Sequence, residues 1–204
     1  MRIIIIGPPG SGKTTQGLLI SKKYNVNFIG TGDLVRKGLK SNYKSYKEVV
    51  DKGNLLPDEV VFALVKEHLI QLGIHKGFIL EGYPRTLVQS KLLDKLLAEE
   101  NVKVNYVFYF NINNNMLKER IIKRLKEDDI DRVDDDPEII NNRMGIYLKE
   151  SLPIREYYKE KNILFDINAE KSIEEIFKNI TEKIDTLEKV NLKWLLLRMM
   201  KNIK

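Results

Sequence analysis

The chain has 204 residues, 43% hydrophobic and 31% charged, with 35 basic against 29 acidic side chains and a formal charge of +6, which describes one globular domain and excludes wholesale disorder. The absence of cysteine excludes disulfides, a thiol nucleophile and a cysteine-built zinc site, and two histidines, His68 and His75, are too few for a histidine metal cluster. The longest pure apolar runs, Ile3–Ile6 and Trp194–Leu197, are too short to span a bilayer, and no signal-peptide pattern opens the chain, so a soluble cytoplasmic protein without stable membrane anchoring is expected.

Met1–Ile6 is a β-branched run without polar alternation and predicts a strand buried on both faces. Gly7-Pro-Pro-Gly-Ser-Gly-Lys13-Thr14-Thr15 follows, a full match to G-x-x-x-x-G-K-[ST] placed between that strand and a helix over 16–24. Gly7, Gly10 and Gly12 let the backbone turn tightly around an anion. The consecutive amides of Gly10, Ser11, Gly12, Lys13, Thr14 and Thr15, with the helix start, aim partial positive charge at phosphates. Lys13 adds a full charge over the β- and γ-phosphates, and Thr14 offers a hydroxyl to magnesium.

Further strands are expected near 27–29, 77–81, 104–110 and 163–167. Helices are expected near 31–39, 43–52, 58–72, 86–99, 114–126, 137–160 and 171–186. Strands alternating with helices predict an α/β domain with a parallel sheet. The charged stretch 126–136 reads as a surface loop.

The chain holds 26 lysines but nine arginines. Where lysine is the default, arginine marks places that need a planar, bidentate fork, and phosphate is one such partner. Arg36 lies one turn after Thr31-Gly-Asp33, and Arg85 follows Gly82-Tyr-Pro84 just past a strand end, where parallel α/β proteins bind ligands. Arg120 and Arg124 share a helix face, while Arg132 falls in the charged loop and Arg143 in the next helix. Each alone reads as a surface ion pair; together, with a phosphate loop, they read as a cage for several phosphates.

The phosphate loop, Thr31-Gly-Asp-Leu-Val-Arg36 and Gly77-Phe-Ile-Leu-Glu-Gly-Tyr-Pro-Arg85-Thr are similar to the signature segments of adenylate kinases, and Asp131-Arg132-Val-Asp134-Asp135 with Arg143 resembles the family's lid arginines. The resemblance covers about residues 1–186. It implies a five-stranded parallel sheet wrapped by helices, an arm for the acceptor monophosphate near 31–60 and a lid near 125–135. The implied reaction is reversible, magnesium-dependent transfer from ATP to AMP, giving two ADP. The resemblance assigns ATP to the phosphate loop with Lys13, with Arg120 stacked on the adenine and the main chain at Lys171 on its other edge. It assigns AMP to Thr31, Arg36, the main chain at Leu56, Gly82, Arg85 and Gln89. Lys13, Arg85, Arg124, Arg132 and Arg143 would form the catalytic set. A glutamine pairs two adjacent adenine atoms through one donor and one acceptor, so Gln89 with Thr31 favours AMP. The alternative is a broader monophosphate kinase acting on UMP or CMP, or one with relaxed triphosphate choice.

Three departures stand out. Thr14 replaces the family's usual glycine, Glu81 replaces its usual aspartate near magnesium, and seven residues separate Arg124 from Arg132. The last implies a short lid without zinc. Residues 187–204 lie beyond the resemblance and are amphipathic at helical spacing, with five basic residues and one acidic. A docked terminal helix, self-association into a homo-oligomer and a membrane-surface helix all remain open for them. The basic surplus concentrates in this tail and the body lacks a basic face with interleaved aromatics, so no nucleic-acid partner is expected. A guanine-reading Asn-Lys-x-Asp segment is absent, which speaks against a GTPase switch.

Overall fold

The computed structural model describes residues 1–127 and 137–201, with the backbone alone at 124–127, 137, 191 and 194–201. Five parallel strands form one sheet: β1 (Arg2–Ile6), β2 (Asn27–Gly30), β3 (Phe78–Glu81), β4 (Tyr106–Asn111) and β5 (Leu164–Asn168). Their order across the sheet is β2-β3-β1-β4-β5. The connecting helices are α1 (Lys13–Tyr24), α2 (Thr31–Leu39), α3 (Lys47–Asp51), α4 (Asp58–Leu72), α5 (Leu87–Glu99), α6 (Asn114–Glu127), α7 (Pro137–Glu160) and α8 (Ile173–Lys201).

The apolar run at the start of the chain needs two covers, because successive strand side chains face opposite ways. Ile4 and Ile6 join Leu80 and Val107 in one core with Val65 and Leu69 of α4, Leu93 of α5 and Tyr158 of α7. Ile3 and Ile5 join Ile79 and Phe108 in the other, against Ile20 of α1 and Ile176, Ile180 and Ile184 of α8. Each fully buried isoleucine stabilises the fold by about 1.5–3 kcal/mol. A third cluster pairs Leu117 and Ile121 of α6 with Ile140 of α7.

The order of the strands places the site. From β1 the chain moves to the β2 and β3 side, then crosses to β4 and β5, so its direction reverses beside β1. Ligands in open parallel sheets bind at the carboxyl ends of the strands next to such a reversal. The phosphate loop is the first segment past the end of β1.

Two expected elements differ. The single helix expected over 43–52 is a 3₁₀ turn at Lys44–Tyr46 followed by the short α3. The helix expected over 171–186 runs on without a break into the amphipathic tail as far as Lys201, as α8, because no glycine or proline interrupts it. Leu187 packs against the second core, and Tyr106 donates to Glu188 Oε1 at 2.5 Å, so the start of the tail is tied to β4. Val190 and Leu192 beyond it are exposed.

Candidate active site

The loop between β1 and α1 is built to receive an anion. Gly12 sits at φ 88, a left-handed conformation costly for any side chain, and provides no side-chain cap for α1. The first amides of the helix are therefore left for an outside acceptor. Ser11 is buried and donates from Oγ to the Pro8 carbonyl at 2.8 Å, which braces the loop from within. Lys13 Nζ folds back over it to the Pro8 carbonyl at 2.8 Å and stands 3.8 Å from Glu81 Oε1. Glu81 ends β3, in register with Ile5 of β1 and Gly30 of β2.

Two lobes of a cleft open here. The first, about 190 Å³, is lined by Lys13, Thr14, Glu81, Gly82, Arg85 and Arg143 among others. The second, about 180 Å³, is lined by Thr31, Arg36, Leu56, Gln89, Arg85 and Arg143 among others. Glu81, Gly82, Arg85 and Arg143 line both. A loop suited to phosphate thus faces one lobe, a separate pocket forms the other, and two guanidinium groups stand where they meet.

The second lobe has the chemistry of a base pocket. Thr31 is 2% exposed, and its hydroxyl has no hydrogen-bond partner among the described residues. A buried hydroxyl without a protein partner is costly unless something else satisfies it. Gln89, 1% exposed, is held in one orientation. Its Oε1 accepts from the Arg85 amide at 2.7 Å, and its Nε2 donates to Asp58 Oδ1 at 2.9 Å. Each end of the amide keeps one unused site, a hydrogen and a lone pair. Arg36 Nη2 donates to Asp33 Oδ1 at 2.6 Å, and Arg85 Nε donates to the Gly82 carbonyl at 2.9 Å.

Arg120 and Lys171, 51 residues apart in sequence, meet where Arg120 Nη2 lies 3.4 Å from the Lys171 carbonyl oxygen. The structure therefore brings together Lys13, Thr14, Glu81, Gly82, Arg85 and Arg143 in one lobe, Thr31, Arg36, Leu56 and Gln89 in the next, and Arg120 with Lys171 as a separate pair. Arg132 and residues 128–135 of the expected lid lie outside the described residues, as does the side chain of Arg124 on α6.

Sequence reasoning missed Asp58, which accepts from both Gln89 and Thr86 Oγ1 and so orients the glutamine. Its only sequence signal is an acid in the first turn of α4. It also missed Tyr147, Glu150 and Ser151, which line the first lobe. These follow Arg143 on the same helix face, so the spacing of α7 could have found them once Arg143 was placed. Tyr147 donates to the Tyr109 hydroxyl at 2.9 Å. Burial first, and that hydrogen bond second, push its pKa far above the ordinary tyrosine range, so it stays a neutral donor in the cleft.

For magnesium, the residues present fit. Thr14 supplies a hydroxyl and Glu81 a carboxylate, both hard oxygen donors. Among the described residues no group of three or more His, Cys, Asp or Glu could hold a metal unaided. No helix among the described residues is long and apolar enough to cross a membrane.

Comparison with known proteins agrees with this geometry. The family model described as adenylate kinase matches residues 5–163. The chain is 39% identical over 190 residues to the adenylate kinase of Azobacteroides pseudotrichonymphae, covering 92% of this chain and 98% of that one. It is 36% identical over 220 residues to that of Archaeoglobus fulgidus, covering 92% and 100%, and 37% identical over 187 residues to that of Leptospira biflexa, covering 90% and 99%. With a phosphate loop at the strand reversal, two lobes joined by arginines and full-length relatives of one name, the chain belongs to the adenylate kinase family.

Proposed function

We propose that this member of the family transfers a phosphoryl group between ATP and AMP by holding two phosphate chains end to end across the shared wall of the two lobes. The observation that carries the reading is that shared wall, because Arg85 and Arg143 line both lobes at once. The donor phosphates rest on the amides of the Gly7–Thr15 loop, with Lys13 neutralising the β- and γ-oxygens. AMP enters the second lobe, its phosphate clamped by Arg36 and Arg85 and its base read by Thr31, Gln89 and the main chain at Leu56. Arg143, with Arg124 and Arg132, spreads positive charge around the group in flight. Such transfer needs no covalent intermediate; it needs alignment, charge neutralisation and exclusion of water. Magnesium, when bound, would draw negative charge off the donor phosphates, and Thr14 and Glu81, directly or through water, would hold it.

The adenine of ATP stacks on the Arg120 guanidinium and meets the Lys171 main chain at its edge. The enzyme works in the cytoplasm on small nucleotides, and α8 beyond residue 186 provides a surface through which copies could associate. The test is a panel of AMP, UMP, CMP and GMP as acceptors with ATP and magnesium. AMP should be the preferred acceptor, and chelating magnesium should stop transfer. A protein that transfers nothing to AMP, or prefers a pyrimidine monophosphate, overturns the reading.

A further inference from the structure

Lys171 belongs to the turn Asn168-Ala-Glu-Lys-Ser172 between β5 and α8. Ala169 is buried in the second core, but Glu170 and Lys171 are exposed, and those two have little packing of their own to hold them still. It is nevertheless tied from two sides. On the α6 side, Glu170 Oε1 accepts from the Asn113 amide at 3.0 Å and from Asn113 Nδ2 at 2.8 Å. Asn113 Oδ1 in turn accepts from the Met116 amide at 2.8 Å and caps α6, the helix that carries Arg120. The Ala169 amide donates to the Asn111 carbonyl at 2.8 Å, which carries the β4–β5 ladder one step into the turn. On the other side, Gln16 of α1, 1% exposed, donates from Nε2 to the Ile173 carbonyl at 2.8 Å. Helix α1 begins at the phosphate loop. Ser172 and Glu175 close a reciprocal capping box at 3.1 and 3.2 Å that fixes where α8 starts.

The turn is thus strapped between the helix of the phosphate loop and the helix of Arg120. One carboxylate oxygen accepting two N–H groups is a charge-assisted arrangement, stronger and more directional than a neutral pair. It ties the residue next to Lys171 to the cap of the helix that carries Arg120, whose Nη2 is 3.4 Å from the Lys171 carbonyl oxygen. A flat base stacked on one and hydrogen-bonded to the other is sensitive to that separation.

We propose that Glu170, acting through Asn113, is a positioning residue for the donor base: it holds the Lys171 carbonyl where the edge of a base stacked on Arg120 can reach it. The proposal rests on the reading that the ATP base stacks on Arg120 and meets the Lys171 main chain. Neither Glu170 nor Asn113 is among the residues lining either lobe, so the effect expected is on the donor base rather than on AMP.

The test compares Glu170→Ala, Glu170→Gln and Arg120→Ala with the full-length enzyme, measuring KM for ATP and for AMP, kcat, melting temperature and calorimetric binding of inorganic tripolyphosphate, which has no base. Glu170→Ala should raise KM for ATP about five-fold, the scale of a lost positioning hydrogen bond. KM for AMP, tripolyphosphate affinity and melting temperature should stay unchanged. Glu170→Gln, which keeps an accepting oxygen, should recover most of the loss. If Arg120→Ala raises KM for ATP while Glu170→Ala leaves it unchanged, the clasp is overturned and the base slot stands. If neither variant changes it, the slot itself lies elsewhere and the proposal falls with it. A Glu170→Ala protein that loses melting temperature and both substrates together overturns the proposal in favour of a plain structural tie.

Discussion

Single residues carry the charge that phosphoryl transfer spreads over oxygens. Lys13 reaches over the phosphate loop, and Arg85 lines both lobes. Removing one preorganised donor at a developing charge typically costs about 10²–10³ in kcat. Lys13→Met and Arg85→Ala should each lose activity on that scale while keeping the native far-UV spectrum and melting curve; full turnover in either would remove that residue from the catalytic set. Thr31 allows a sharper prediction. Its hydroxyl is buried without a protein partner among the described residues, so Thr31→Val removes an orphan oxygen at constant volume. Stability should hold or rise by about 1 kcal/mol, whereas KM for AMP should rise about ten-fold if the hydroxyl meets the base. A variant that loses stability and keeps its AMP affinity would assign the hydroxyl to the fold. Gln89 shows where residue-level reading stops. Its chemistry was legible in the sequence, but its orientation depends on Asp58, 31 positions away, and on the backbone of Arg85.

At the scale of elements, contacts between helices decide what moves together. The second-lobe turn Lys52-Gly53-Asn54 rests on α7: Asn142 Nδ2 donates to the Lys52 carbonyl at 2.8 Å and to Asn54 Oδ1 at 2.9 Å. Gly53 has φ +77, and a Cβ there would stand 3.0 Å from the Ile139 carbonyl oxygen, so the turn needs both the glycine's conformation and its lack of a side chain. The Lys52–Asn54 turn is thereby seated one residue from Arg143. A second element contact joins α1 to α8. Tyr24 donates to Asp185 Oδ1 at 2.7 Å, and that hydrogen bond first, with the nearby Lys23 ammonium, holds the Asp185 carboxyl below the usual aspartate range. A carboxylate with a depressed folded pKa stabilises the fold above its unfolded pKa and loses that contribution as pH falls through the folded value. Tyr24→Phe should therefore reduce melting temperature near neutral pH and narrow its difference from wild type in acid, with the change confined to the range below the ordinary aspartate pKa. A constant difference at every pH would show that the lost packing, not the ionised pair, carries the effect.

Across the whole molecule, the charge divides. Residues 187–204 hold five basic side chains and one acidic, a surplus of +4 that leaves +2 for the body, whose Arg36, Arg85 and Arg143 line the cleft. The tail is itself divided. Leu187 packs on the core and Glu188 accepts from Tyr106, whereas Leu192 is exposed. Deleting 187–204 should cost about 1–2 kcal/mol through that hydrogen bond and apolar contact, a shift of a few degrees in melting temperature, while deleting 193–204 should leave it unchanged. Equal losses from both deletions would show that the end of α8 also docks on the body. Measuring the mass of both truncated forms in solution tests self-association, which an unchanged mass would rule out.

The sequence by itself determined the class of fold and the phosphate loop. An unbroken β-branched strand, a glycine turn and a helix start are local features whose conformational preferences act without partners. It also supplied the chemical types the site needs, because phosphate calls for arginine forks and adenine for a paired donor and acceptor. Only the tertiary structure decided which of these residues meet. Arg85 and Arg143 share a wall because β3 and α7 converge there, and Arg120 reaches Lys171 because α6 and the β5–α8 turn sit side by side. The second-lobe turn, the Asp58 brace and the Glu170 clasp all span long separations in sequence. Such contacts become favourable only after the core has brought distant segments together, since closing long loops costs entropy that no local preference repays.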